Sequence, residues 1–121
     1  MSKKENIVAR LELDTKLPEG VSQEQWNSWK DKWGDKIKRI HLPLNDDNTE
    51  FFTVAAMVPS RKTLSDYEKW VDKNPDKSKD ILITDCLVTG VDVVKADDVL
   101  FNSCVGAIAE MIPIRKAIIK N

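Results

Sequence analysis

Several kinds of chemistry are thin in this sequence. His41 is the only histidine, and Cys86 and Cys104 are the only cysteines. A metal centre would need carboxylates or those two thiols, and no HxxH, HExxH or CxxC spacing gathers them. Each cysteine sits in an apolar context, "ITDCLVTG" and "FNSCVGAI", so both read as reduced core thiols and a disulfide framework is excluded. Glycine is also scarce, with 4 in the chain, and no GxGxxG, GxxxxGK[ST] or GxSxG pattern is present to cradle a phosphate or present a nucleophile. The acid pairs Asp46/Asp47 and Asp97/Asp98 fall at a turn and at a helix start, where ordinary structure explains them. No catalytic, cofactor-binding or metal residue is therefore assigned, and an enzyme is not expected.

An excess of charge of one sign is missing too. Lysine plus arginine number 19 against 20 aspartate plus glutamate, a net charge of -1, which gives no reason to expect a nucleic-acid partner. No window approaches the roughly eighteen consecutive apolar residues of a membrane span, and "MSKKEN" leads into "IVARLELD" without a signal-peptide core. The expectation is a cytoplasmic protein with no membrane partner. At 121 residues the chain suits one domain over 1–121, with the charged residues 1–5 disordered.

The residues that are present outline an α+β fold. "IVARLELD" sets Ile7, Ala9, Leu11 and Leu13 at period two, which fits a short strand or, nearly as well, a short helix. Ser22 with Gln25 three residues later forms a capping-box pattern, predicting a helix from about Gln23 to Trp33 that stops at Gly34 in a left-handed conformation. "KIKRIHLPL" and "TEFFTVAAMV" flank the turn cluster "NDDN" and predict an antiparallel hairpin, Lys36 to Leu44 with Thr49 to Val58. On its first strand Ile37, Arg39 and His41 share one face, and Lys38, Ile40 and Leu42 the other. Pro43 cannot donate to a ladder, so that strand lies at an edge or ends there.

Three helices are expected after the hairpin. "TLSDYEKWVDKN" is amphipathic, with Thr63 or Ser65 as cap and Asn74 and Pro75 as its end; "KSKDILITDCLVT" follows, opened by Asp76 and stopped by Gly90. "VDVVK" reads as a connection to a last helix, Asp97 to Ile119, in which Pro113 forces a kink or break before "IRKAIIK" resumes. The predicted architecture is an N-terminal helix and an antiparallel hairpin packed on this C-terminal set of three helices. "PSRK" at 59–62 is a strand-to-helix join that a turn explains more cheaply than an anion site does.

Tryptophan is plentiful by contrast, 4 in the chain, with Trp26, Trp29 and Trp33 along one stripe of the first helix. Such a stripe either packs the helix onto the hairpin or leaves aromatic anchors for a partner. In the last helix Leu100, Cys104, Ile108 and Met111 form a core stripe, while Val105, Ile112, Ile118 and Ile119 fall partly outside it and are candidates for a protein-binding or self-association surface. The same helix carries small residues, Ser103, Gly106 and Ala107, that allow another helix to approach closely.

The order "WGDKIKRIHL", "FFTVAAMVPSRKTL", "NPDKSKDILITDCLVTGVD" and "KADDVLFNSCVGAIAEMIPIRKAIIK" resembles a family of small proteins from tailed phages and prophages of Bacteroides-like hosts, over roughly residues 28–120. Proteins of this layout are similar to tail assembly chaperones. The resemblance implies a non-catalytic protein of the host cytoplasm that binds hydrophobic surfaces of tape measure or tail tube proteins and needs no cofactor, with a homo-oligomer as a further option. The alternative is a small structural subunit, an adaptor or connector, that remains in the virion. The chain departs from the family layout at Pro113, in its tryptophan-rich first helix and in a longer N-terminal segment.

Overall fold

A computed structural model of the protein describes residues 13–112 and 117–121. Along these residues run α1 (Gln23–Trp33), a 3-10 turn (Gly34–Lys36), β1 (Ile37–Pro43), β2 (Phe51–Met57), α2 (Arg61–Trp70), α3 (Pro75–Cys86), α4 (Val91–Ala96) and α5 (Asp98–Glu110). The fold is α+β. Residues 1–12, including the predicted disorder of 1–5 and most of "IVARLELD", lie outside the described residues; 13–15 are helical.

The hairpin is the centre of the fold. β1 and β2 pair antiparallel, Ile37 opposite Met57 through Pro43 opposite Phe51. In the connecting loop Asn45 Oδ1 accepts from the amides of Thr49 (3.0 Å) and Glu50 (3.4 Å), and Asn48 adopts φ 55°. Asparagine bonds its own backbone and tolerates left-handed angles, which is why this cluster closes the hairpin. Both faces of the ribbon are covered. Ile40, Leu42, Val54 and Ala56 join Leu82, Ile83, Val94, Leu100, Cys104 and Ile108 in the larger core, while Ile37 and Ala55 meet Trp26 on the opposite face. β2 is buried on both sides, from Thr53 through Ala56.

The helix starts follow local chemistry. Ser22 Oγ accepts from Gln25 N at 3.1 Å, as the capping-box pattern requires. α2 begins earlier than Thr63 or Ser65 as cap would allow: Ser60 is the cap, its Oγ accepting from Thr63 N at 3.1 Å. This draws Arg61 and Lys62 into a first turn where their charge opposes the helix dipole, a cost of about 0.3–1 kcal/mol that a cap worth about 1 kcal/mol offsets. Asn74 caps α3 and Pro75 takes its first position, where a missing amide costs nothing.

Four expectations are corrected. α1 spans Gln23–Trp33 and ends at Gly34 as expected, with positive φ (57°) there, but ψ -128° lies outside the left-handed helical region and a 3-10 turn follows directly. α3 ends at Cys86 and not at Gly90, because Leu87 becomes extended and bridges Ala56 of β2. "VDVVK" is a short helix and not a connection, so four helices, not three, follow the hairpin among the described residues; Gly90 (φ 73°) sets its entry, and Val94 is fully buried. α5 ends at Glu110 rather than near Ile119, and residues 117–121 have no regular structure. Its last amides, Met111 and Ile112, bond Ile108 and Ala109 three residues back, the tightening expected just before a proline. Residues 113–116 lie outside the described residues.

Gly90 is the tightest joint between β2 and α4. A Cβ there would stand 2.8 Å from Val54 Cγ1 and 2.9 Å from Phe52 Cε1, on a backbone already at φ 73°. Gly90→Ala is expected to cost roughly 2–4 kcal/mol, combining left-handed strain with overpacking, as read by urea unfolding; a change below 1 kcal/mol would show that β2 and α4 separate easily. Cys86 and Cys104 are free and buried, and burial pushes both thiols up to about 11, with nearby Asp85 adding to the rise at Cys86. An unfolded thiol ionises near about 8.5. Stability is therefore fully present below that pH and declines as pH rises toward 11, while native thiols stay silent to a thiol reagent at pH 8 and titrate once the chain is unfolded.

Candidate functional site

The sequence-derived binding residues fall on two sides of the ribbon. Trp26 is 9% exposed and packs on Ile37 and Ala55; Trp29 and Trp33 are half-buried and close the same cluster with Leu17, Val21, Met57 and Val88. The indoles are stacked in sequence: Trp26 meets Trp29 edge-on with centroids 6.4 Å apart, and Trp29 meets Trp33 at 6.2 Å. The stripe is thus first of all the cover of one hairpin face, with its outer two rings partly open to solvent. Val105 belongs to the helix on the opposite face, half-buried against the larger core. Ile112 is half-buried just beyond α5.

Ile118 and Ile119 differ from all of these. They are 84% and 91% exposed, in the unstructured stretch 117–121 beside Lys120. Leu44, Val93 and Val99 are the other large apolar side chains that stand in solvent among the described residues. The set Trp26, Trp29, Trp33, Val105, Ile112, Ile118 and Ile119 is therefore not one patch: the tryptophans and Val105 serve different faces of the sheet, and only the two isoleucines are uncovered.

Sequence reasoning missed a polar strap over the tryptophan face. Arg39 Nη1 donates to Lys16 O at 2.9 Å and its Nη2 to Asp14 O at 2.7 Å, while Lys16 Nζ reaches Phe51 O at 2.6 Å and Glu19 N donates to Thr53 O at 3.0 Å. Segment 13–19 thereby crosses the sheet from β1 to β2. The Arg39 guanidinium also stands 5.8 Å from the Trp26 ring centroid. The only signal in the sequence was an arginine alternating with apolar residues on a strand. A cavity of about 560 Å³ lies here, lined in part by Leu13, Asp14, Trp26, Lys30, Arg39 and His41. A second, about 960 Å³, opens beside Met57, Pro59, Cys86 and Met111, with Asp35, Lys38 and Asp85 among its lining. "PSRK" contributes Pro59 and Ser60 to it; Ser60 Oγ also donates to Thr63 Oγ1 at 3.1 Å, which in turn donates to Asp85 Oδ2 at 3.2 Å.

No protein-family model and no curated protein sequence matches the chain. A solved structure, described as an uncharacterised protein from Bacillus stearothermophilus, is similar with a TM-score of 0.56 at 16% identity, over 79% of this chain and 99% of that one. At that identity the likeness concerns the fold alone. No helix among the described residues is long and apolar enough to cross a membrane.

His41 reports on the strap. Its Nδ1 shares a 2.9 Å hydrogen bond with the buried Thr53 Oγ1. Burial lowers its pKa and the Arg39 charge lowers it further; a hydrogen bond with the Leu13 backbone works against this, Lys16 with it and Asp14 against it. The ring titration followed by NMR should therefore have its midpoint below about 6.5. Because the folded value is depressed, stability from the neutral ring is present above the unfolded value and is lost as pH falls through the folded one. A midpoint at or above 6.5 would mean the ring sits in solvent.

Proposed function

We propose that the protein is a non-catalytic assembly factor of a tailed phage, most simply a tail assembly chaperone that holds hydrophobic surfaces of tape measure or tail tube subunits in the host cytoplasm. The observation that carries this reading is the pair Ile118 and Ile119, uncovered at 84% and 91% exposure in an unstructured stretch ending in Lys120 and Asn121. Exposed apolar residues flanked by charge suit a reversible surface: burial holds a partner, and charge keeps the free protein in solution. The resemblance in element order to tail assembly chaperones supports the same reading. A role as an adaptor or connector subunit differs only in whether the protein stays in the particle.

Ile118→Asp combined with Ile119→Asp should leave unfolding free energy within about 0.5 kcal/mol of the parent, as exposed sites do. The same pair should abolish the gain in soluble tape measure or tail tube protein on co-expression. Unchanged solubilisation would move the binding surface elsewhere, and no gain with the parent protein would end the chaperone reading. Mass spectrometry of purified virions separates the two roles: a chaperone is absent, a connector is present at fixed copy number.

A further inference from the structure

The two outer edges of the hairpin are treated differently. Val58 N donates to Lys36 O at 2.7 Å and Leu44 N to Glu50 O at 2.8 Å, one pair at each end of the ladder. Antiparallel strands alternate hydrogen-bonded and non-bonded pairs, so Lys38, Ile40 and Leu42 turn their backbone toward β2, and Ile37, Arg39, His41 and Pro43 turn theirs away. On β2 the same alternation sends Thr53 and Ala55 outward, and both are occupied. Thr53 O accepts from Glu19 N at 3.0 Å; Ala55 O accepts from Val88 N at 2.8 Å and Thr89 N at 3.3 Å, and Ala55 N donates to Thr89 Oγ1 at 2.9 Å. On β1 the outward amides of Arg39 and His41 and their carbonyls make no such bond among the described residues.

An unpaired strand edge is a template for another strand. The cavity of about 560 Å³ runs along this one, between β1 and the side chains of Trp26 and Lys30, so space stands beside the unpaired groups. The side chains around it select the occupant. Arg39 spends its donors on two backbone carbonyls and not on a carboxylate, Lys30 donates to Gly34 O, and Lys38 is exposed with no ion-pair or hydrogen-bond partner among the described residues. Against these three cations stands Asp14, also lining the cavity. A second copy of β1 would bring its own Lys38 and Arg39 to the same edge, and like charges across a strand pair are unfavourable. We infer that the open edge of β1 is a strand-addition site for an extended, acidic segment of a partner protein. Main-chain bonds to Arg39 and His41 supply the pairing, and carboxylates facing Lys30, Lys38 and Arg39 supply the preference. The inference stands whether or not the partner is a phage tail protein.

The probe is a capped octapeptide in which pairs of glutamates alternate with pairs of valines, so that an added strand carries carboxylates on both faces, toward Lys38 on one and Lys30 and Arg39 on the other; it is titrated into labelled protein and followed by amide NMR. Saturable shifts and slowed hydrogen exchange centred on the Arg39 and His41 amides are expected. The same peptide with lysine for glutamate should bind at least about tenfold more weakly, as should the glutamate peptide to Lys38→Glu, a surface change that leaves the core untouched. N-methylation of alternate peptide amides should abolish binding in one register and spare it in the other, which side-chain docking would not do. No response at these amides at millimolar peptide, equal binding of the lysine peptide, or indifference to N-methylation in both registers overturns the inference. So does concentration-dependent self-pairing of the protein at β1 without peptide, which would make a second copy the occupant.

Discussion

β2 is the element on which the rest of the structure depends, and Ala55 is its pivot. A two-stranded ribbon is marginal in water unless its faces are covered, and here both are, by tryptophans on one side and by α3, α4 and α5 on the other. Thr53 and Ala55 are fully buried, so the outer backbone groups of β2 there need partners or cost the desolvation of an unpaired polar group. The segment after α3 meets that need. Val88 and Thr89 bond Ala55 O, Thr89 Oγ1 takes Ala55 N, and the chain can only then turn into α4 because Gly90 passes within contact distance of Val54 and Phe52 without a side chain. One constraint thus fixes where α3 must end, why the turn is a glycine, and where α4 begins.

That chain of cause also explains what the sequence made legible. The hairpin, its face assignment and α1 were readable because period-two and period-three-to-four patterns report burial directly: Ile40 and Leu42 enter the larger core, and Ile37 and Trp26 meet on the other face. Both cysteines were readable as buried thiols from their apolar neighbours. The end of α3 was not, since "CLVTG" continues an apolar run and its departure from helix is imposed by Ala56 and Ala55 across space. α4 is six residues long, too short for a helical period to declare itself, and only the burial of Val94 marks it. The cap of α2 was misplaced because Ser60 precedes two basic residues that a helix start disfavours, and the strength of one cap outweighs them.

The candidate surfaces were legible only in part, for the same reason. Apolar residues can be found in a sequence, but whether a stripe is spent internally depends on what it faces. Trp26 turned out to be core, Val105 serves the opposite face half-buried, and Ile118 and Ile119 stand free. The edge of β1 carried almost no sequence signal beyond Pro43, because an open edge is a property of backbone groups, and these are the same at every residue.

The charge pattern follows from leaving that edge and those isoleucines open. A protein with net charge -1 has little whole-molecule repulsion to keep copies apart. Protection must then be local, and it is placed where the openings are: Lys38 and Arg39 on β1, whose outer edge makes no backbone bonds among the described residues, and Lys120 next to Ile119. Cations on an edge oppose a second identical edge and at the same time favour a strand of the opposite charge, so the same residues that disfavour self-pairing are the ones the proposed acidic strand would meet. At the isoleucines the neighbouring lysine sets charge beside a small apolar surface without covering it.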